Sequence, residues 1–97
     1  MKKKYPIRWT REAETTYLEI LVFILEKWTL KEAEHLENLT NDLLKNLSYN
    51  LKLCPEVKGI GVRKCLVSEH TSLVYRIREK SLELIAFVDN RSDHFYK

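Results

Sequence analysis

The sequence lacks a long apolar run. The longest one, Ile20 to Leu25, is bounded by glutamates and is much shorter than the roughly 20 residues that a membrane-spanning helix requires. A signal peptide is not expected either, because the basic residues 2–4 are followed by Arg8, Arg11 and Glu12 where an apolar stretch would have to be. The sequence therefore predicts a cytosolic protein without a membrane segment.

Cysteine is also scarce. The chain has two, Cys54 and Cys65, whereas a small secreted domain usually carries more of them as a disulfide framework. Neither has another cysteine or a histidine at metal-ligand spacing, so we expect two structural thiols and no metal site. Gly59 and Gly61 do not form a dinucleotide-binding fingerprint, because no predicted strand precedes them and no predicted helix follows. No cofactor is expected.

What the sequence does contain is enough apolar material for one core. Hydrophobic residues make up 44% of the 97 residues and charged residues 32%, a balance typical of a folded globular protein and unlike that of a disordered chain. This length suits one domain better than two. We expect residues 1–97 to form a single domain.

The charge is distributed unevenly along the chain. Residues 11–50 contain four basic and eight acidic side chains, whereas residues 58–97 contain eight basic and five acidic ones. Such a distribution indicates that the C-terminal part meets a polyanion or an acidic partner, or only that a charged surface is solvated. Charge alone leaves both interpretations open.

A short strand and a long helix are predicted at the start of the chain. Residues 5–9 alternate in the manner of a strand, and Pro6 confines that strand to an edge or to its first residues. Thr10 can cap a helix that runs to about Lys27 or Trp28. Its apolar positions form a face wider than a narrow stripe, so this helix should be covered on more than one side.

A second helix follows almost at once. Thr29 and Glu32 have the spacing of a capping box, and leucines recur at helical spacing until Tyr49 and Asn50 close the run. Because the break between the helices is so short, they should form an antiparallel hairpin.

Three strands are predicted in the second half, at Val62–Val67, Ser72–Arg78 and Leu82–Val88, with short turns between them. Alternation in the middle strand turns Tyr75 towards the helices and Arg76 outward. The predicted fold class is α+β, with a short N-terminal strand and an antiparallel two-helix hairpin packed on a three- to four-stranded antiparallel sheet.

This order of elements resembles the RelE/ParE superfamily of toxins. The likeness covers nearly the full length and depends on order and spacing together, with four local segments adding to it: Thr10–Glu14, Leu51–Pro55, Leu73–Ile77 and Phe87–Arg91. The resemblance implies the toxin of a bacterial type II toxin–antitoxin system, held by its cognate antitoxin in a hetero-oligomer.

The superfamily has two activities. ParE-like members poison DNA gyrase and are not known as nucleases, whereas RelE-like members cut messenger RNA on the ribosome. Metal-free RNA cleavage needs a base, an acid and cations that stabilise the phosphate. For a nuclease, the resemblance assigns these catalytic roles to Arg91, His94 and Tyr96, although a histidine in a polar tail is usually only solvated and a tyrosine there is more often a packing residue.

The sequence departs from the RelE-like pattern at Ser72, which stands where the strand arginine of those members would be. The long helical hairpin is also more similar to ParE-like members. We therefore expect a ParE-like toxin that acts on gyrase. A ribosome-dependent endonuclease is the alternative, and a non-toxic interaction domain is a third hypothesis.

Two surfaces are expected to bind partners. The predicted target-binding residues are the basic ones of the sheet and tail, although exposed strands also carry charges simply to avoid edge pairing: Arg63, Lys64, Arg76, Arg78 and Arg91. An antitoxin segment should fold onto the hairpin and cover apolar surface there. Its predicted contacts are Tyr17, Ile20, Ile24 and Trp28.

Overall fold

The computed structural model describes residues 3–90. Within them the chain forms two helices and five strands, in the following order: β1 (Ile7–Trp9), α1 (Arg11–Lys27), α2 (Leu30–Tyr49), β2 (Glu56–Val57), β3 (Val62–Leu66), β4 (Thr71–Arg78) and β5 (Ser81–Asp89). The predicted α+β class, with its first strand, helical hairpin and meander of β3 to β5, is confirmed.

Both helices begin at the predicted caps. The Thr10 hydroxyl oxygen accepts a hydrogen bond from the backbone N–H of Ala13 at 3.1 Å, and that of Thr29 accepts one from Glu32 at 3.2 Å. Each bond satisfies one of the N–H groups that the first turn of a helix leaves without a partner. Neither helix of residues 3–90 is long and apolar enough to cross a membrane.

The sheet is mixed and has five strands in the order β1-β5-β4-β3-β2, so the prediction of three or four antiparallel strands was wrong in strand number and in direction. β1 lies parallel to β5, and Ile7 is opposite Leu82. The pairing is held by bonds from Leu82 N–H to the Pro6 carbonyl and from Thr10 N–H to the Leu84 carbonyl. Residues more than seventy positions apart make this ladder, and local pattern cannot specify such a partner.

The core lies between the helices and one face of the sheet. Leu47, Leu73, Leu82 and Leu84 are fully buried there, as is Tyr75. The Tyr75 hydroxyl donates to the Leu51 carbonyl at 2.8 Å, and burial raises the pKa of that hydroxyl. The prediction that Tyr75 faces the helices is confirmed.

Cys54 and Cys65 form a disulfide, so the expectation of two structural thiols was wrong about their oxidation state. The reason is β2, which the sequence pattern does not reveal. β2 pairs with β3 so that Glu56 is opposite Arg63, and continuing this antiparallel register by two residues on each side brings the two cysteines opposite each other. Their Cα atoms are 5.4 Å apart, within the range that a disulfide spans.

Candidate functional site

The face of the sheet turned away from the helices, called here the open face, carries three of the predicted target-binding residues. Lys64 is opposite Val74, Arg76 is opposite Glu83, and Arg78 is opposite Ser81. Because side chains alternate between faces along a strand, Lys64, Arg76 and Arg78 share the open face. Lys64 and Arg78 are exposed, and Arg76 is half-buried.

Arg63 does not belong to this group. It is opposite Tyr75 and therefore lies on the helix side of the sheet. Its guanidinium Nη1 donates to the carbonyl of Cys54 at 2.7 Å. This contact holds the segment before β2 against β3, so Arg63 has a structural bond that the sequence prediction did not include.

Arg76 is the centre of a charged cluster that sequence reasoning missed. Its Nε donates to Oε1 of Glu83, while Nη2 of Arg8 lies 3.8 Å from Oε2 of the same carboxylate. The hydrogen bond from Arg76, with the charges of Arg8 and Arg78, lowers the pKa of Glu83 below its ordinary value. Three guanidinium groups face one carboxylate, so the cluster stays positively charged.

Ser72 occupies the opposite end of the open face and is buried. Its hydroxyl donates to the Asn90 side-chain oxygen at 3.1 Å, and the Asn90 backbone N–H donates to the His70 carbonyl at 2.6 Å. Ser72 therefore closes the end of the β4–β5 ladder and supplies no charge. An exposed Leu66 and a half-buried Val88 flank Ser72 on the neighbouring strands, and half-buried Val74 lies between Ser72 and Arg76 on β4.

Similar folds occur among solved structures of bacterial toxins. A chain of the chromosomal ParDE toxin–antitoxin system of P. aeruginosa superimposes with a TM-score of 0.75 at 16% identity, covering 89% of this chain and 96% of that one. The YoeB/ParE toxin of Agrobacterium tumefaciens gives 0.67 at 18% identity, covering 87% and 96%. This chain has the RelE/ParE toxin fold.

A chain of the E. coli DinJ–YafQ toxin–antitoxin complex also has this RelE/ParE fold. It superimposes with a TM-score of 0.54 at 15% identity, covering 92% of this chain and 96% of that one. No family model matches the sequence, and no curated protein matches it either. The likeness is thus one of backbone structure, and few residues are identical between the chains.

The predicted antitoxin-binding residues fall into two groups in this RelE/ParE fold. Ile20 is buried in the core, and Tyr17 and Ile24 pack against it. The Tyr17 ring lies 4.7 Å from that of Phe87 and 5.6 Å from that of Trp9, measured between centroids. Trp28, by contrast, is 59% exposed. Of the four, only Trp28 offers a largely free surface to a partner.

The predicted catalytic residues Arg91, His94 and Tyr96 lie outside the described residues. Within residues 3–90, no three His, Cys, Asp or Glu side chains come together in a way that could hold a metal ion. The described part of the open face therefore offers a partner cationic side chains next to apolar ones.

Proposed function

We propose that this protein is the toxin of a type II toxin–antitoxin system. In this proposal it inhibits bacterial growth by acting on DNA gyrase and is neutralised in the cytoplasm by a cognate antitoxin. The observation that carries the proposal is the fold, which it shares with a chain of the ParDE toxin–antitoxin system over 89% of its length.

The open face supports a target other than RNA. A nuclease of this kind needs cations aimed at the phosphate as charge develops on it. At the position of the RelE-like strand arginine, however, Ser72 is neutral and bonded to Asn90. Arg76, the next cation along the same strand face, is bonded to Glu83.

The composition of the open face also fits a protein target. Leu66, 68% exposed, and Val88 flank Ser72 on the two neighbouring strands, and Val74 is the next residue on this face of β4. Lys64 borders this apolar strip opposite Val74, and Arg78 lies further along β4, beyond Arg76. An apolar centre with a charged rim is the usual anatomy of a protein–protein interface. A phosphate backbone would be bound chiefly by cations.

A ribosome-dependent endonuclease is the second candidate. It is favoured by Lys64 and Arg78, which are exposed cations on the open face that make no ion pair within residues 3–90. In that case Arg91, His94 and Tyr96 would supply the remaining acid–base and phosphate-binding groups.

The test is controlled induction in a bacterial host, followed in parallel by plasmid supercoiling and messenger RNA integrity. The gyrase proposal expects growth arrest with altered DNA topology and intact messages. Codon-phased cuts in translated messages would instead establish the endonuclease. Normal growth at high expression would contradict both and leave a non-toxic interaction domain.

A further inference from the structure

Helix α1 presents an apolar stripe to solvent. Leu18, Val22 and Leu25 are 61%, 50% and 49% exposed, and their spacing of four and three residues places them on one side of the helix. Ala13 and Ile20, on the other side, are buried against the sheet. The helix is therefore apolar on both sides, although the fold needs only one of them.

A row of carboxylates runs along one flank of this stripe. Glu12, Glu19 and Glu26 are all exposed and recur every seven residues, which is close to two helical turns or about 10 Å. None of these three makes an ion pair within residues 3–90, where Glu83 pairs with Arg8 and Arg76, and Glu69 contacts the imidazole of His70. Three negative charges at a regular interval are thus left without a cation from the described part of the chain.

The other flank leads into a cleft. Trp28 lies there, 59% exposed, and lines a cavity of about 300 Å³ between the start of α2 and the turn that joins β3 to β4. Ile24 and Leu36 contribute apolar walls, and the polar lining includes Glu32 and Glu69 together with His35 and His70. His70 Nε2 lies 3.2 Å from Oε1 of Glu69, which leaves Glu32 as the carboxylate without a partner within residues 3–90. The cleft suits a long side chain with an apolar stem and a positive end.

We propose that the outer side of α1 is the docking surface for a basic amphipathic helix of the antitoxin. Its apolar side would cover Leu18, Val22 and Leu25, and its lysines or arginines would recur every seventh residue opposite the glutamate row. One long basic side chain of the same helix would enter the cleft at Trp28. The identity of the partner as an antitoxin rests on the proposed function, whereas its chemistry follows from the complementary charge and apolar pattern.

The charge pattern argues against antiparallel pairing of this surface with a second copy of the chain. An antiparallel two-fold contact between two α1 helices would put both glutamate rows on the same flank of the interface, because each copy uses the same surface. Like charges in register repel. A partner with cations at that interval avoids this repulsion.

The test uses two synthetic 21-residue helical peptides with identical leucine faces. One carries arginine at every seventh position on one flank, and the other carries glutamate there. Fluorescence anisotropy measures their binding to the wild-type protein, to the charge-reversed variant Glu19→Lys/Glu26→Lys, and to the control Glu34→Lys/Asp42→Lys. The control makes the same change in net charge at two exposed positions of α2.

The wild-type protein and the control should prefer the arginine peptide by a factor on the order of ten, and the charge-reversed variant should prefer the glutamate peptide. Val22→Glu, on the exposed stripe, should abolish binding of either peptide while leaving the circular dichroism spectrum unchanged. Equal binding of both peptides to the wild-type protein would overturn the proposal. So would a control variant that behaves like the charge-reversed one.

Sedimentation of the protein alone completes the test. A monomer agrees with the proposal, and a dimer that Val22→Glu dissociates would overturn it in favour of a second copy. None of these readouts depends on toxicity, so a failure of the proposed function would appear as normal growth and would leave the peptide result unaffected.

Discussion

Arg76 and Glu83 lie directly opposite each other on β4 and β5, and the guanidinium Nε of Arg76 donates to the Glu83 carboxylate. Glu83 is largely buried, and this pair places its carboxylate among the guanidinium groups of Arg8, Arg76 and Arg78. It also lowers the pKa of Glu83, so protein stability should depend on the ionisation of this residue.

The first prediction concerns pH. A carboxyl group whose pKa is lower in the folded state stabilises the fold above its unfolded pKa, about 4.3 for glutamate, and this contribution is lost as the pH falls through the lowered value. Glu83→Gln should therefore melt below the wild-type protein at neutral pH, because the arginines lose their counter-charge. The difference in Tm should be constant above about pH 5 and should close on further acidification. A difference that persists unchanged down to pH 2 would contradict this origin.

The second prediction concerns the disulfide. Cys54 and Cys65 are 11 residues apart, and closing a loop of this size typically stabilises a fold by about 2–4 kcal/mol. Urea unfolding in the presence of dithiothreitol should show a loss of that order. The variant Cys54→Ala/Cys65→Ala, which places no hydroxyl at the buried position of Cys65, should no longer respond to the reductant. Equal stability of the oxidised and reduced protein would count against a structural role for the disulfide.

The third prediction concerns Tyr75. Its hydroxyl donates to the Leu51 carbonyl at 2.8 Å and accepts a hydrogen bond from the backbone N–H of Cys54 at 3.4 Å, so Tyr75→Phe removes both of these partly buried bonds. Leaving a buried polar group unsatisfied typically costs about 1–3 kcal/mol. Denaturant titration measures the loss, and the control Tyr49→Phe, at a 40% exposed position, should change stability by less than about 0.5 kcal/mol. Similar losses in both variants would show that the Tyr75 hydroxyl has no special role.

The sequence could predict contacts between residues that are close along the chain, but not contacts between distant segments. The helices and their caps were predicted correctly because Thr10 and Thr29 act on residues three positions away. The partners of β1 and β2 were not predicted, since strand pairing joins distant segments. Without β2, nothing in the pattern placed Cys54 opposite Cys65.

The candidate site shows the same limit. Alternation placed Arg76 on the open face, but its pairing with Glu83 depends on the register that the turn between β4 and β5 sets. That turn has only two residues, Glu79 and Lys80, with φ of 52° and 62°, and lacks the asparagine–glycine signature of such turns. The register, and with it the arginine cluster, was therefore not visible in the sequence.

The last prediction tests the open face as the target-binding surface. Lys64 and Arg78 are exposed and make no ion pair within residues 3–90, so Lys64→Ala/Arg78→Ala should fold normally. If these cations form the rim of the interface with the target, their loss should weaken growth arrest by roughly tenfold in colony counts, because two interface residues that each contribute up to about 1 kcal/mol allow a change of that order. The control Lys45→Ala/Lys52→Ala removes two exposed cations outside the open face and should remain fully toxic. Full toxicity of the Lys64 and Arg78 variant, at equal protein levels, would argue against the open face as the target-binding surface, because the other cations of that face within residues 3–90, Arg8 and Arg76, are paired with Glu83.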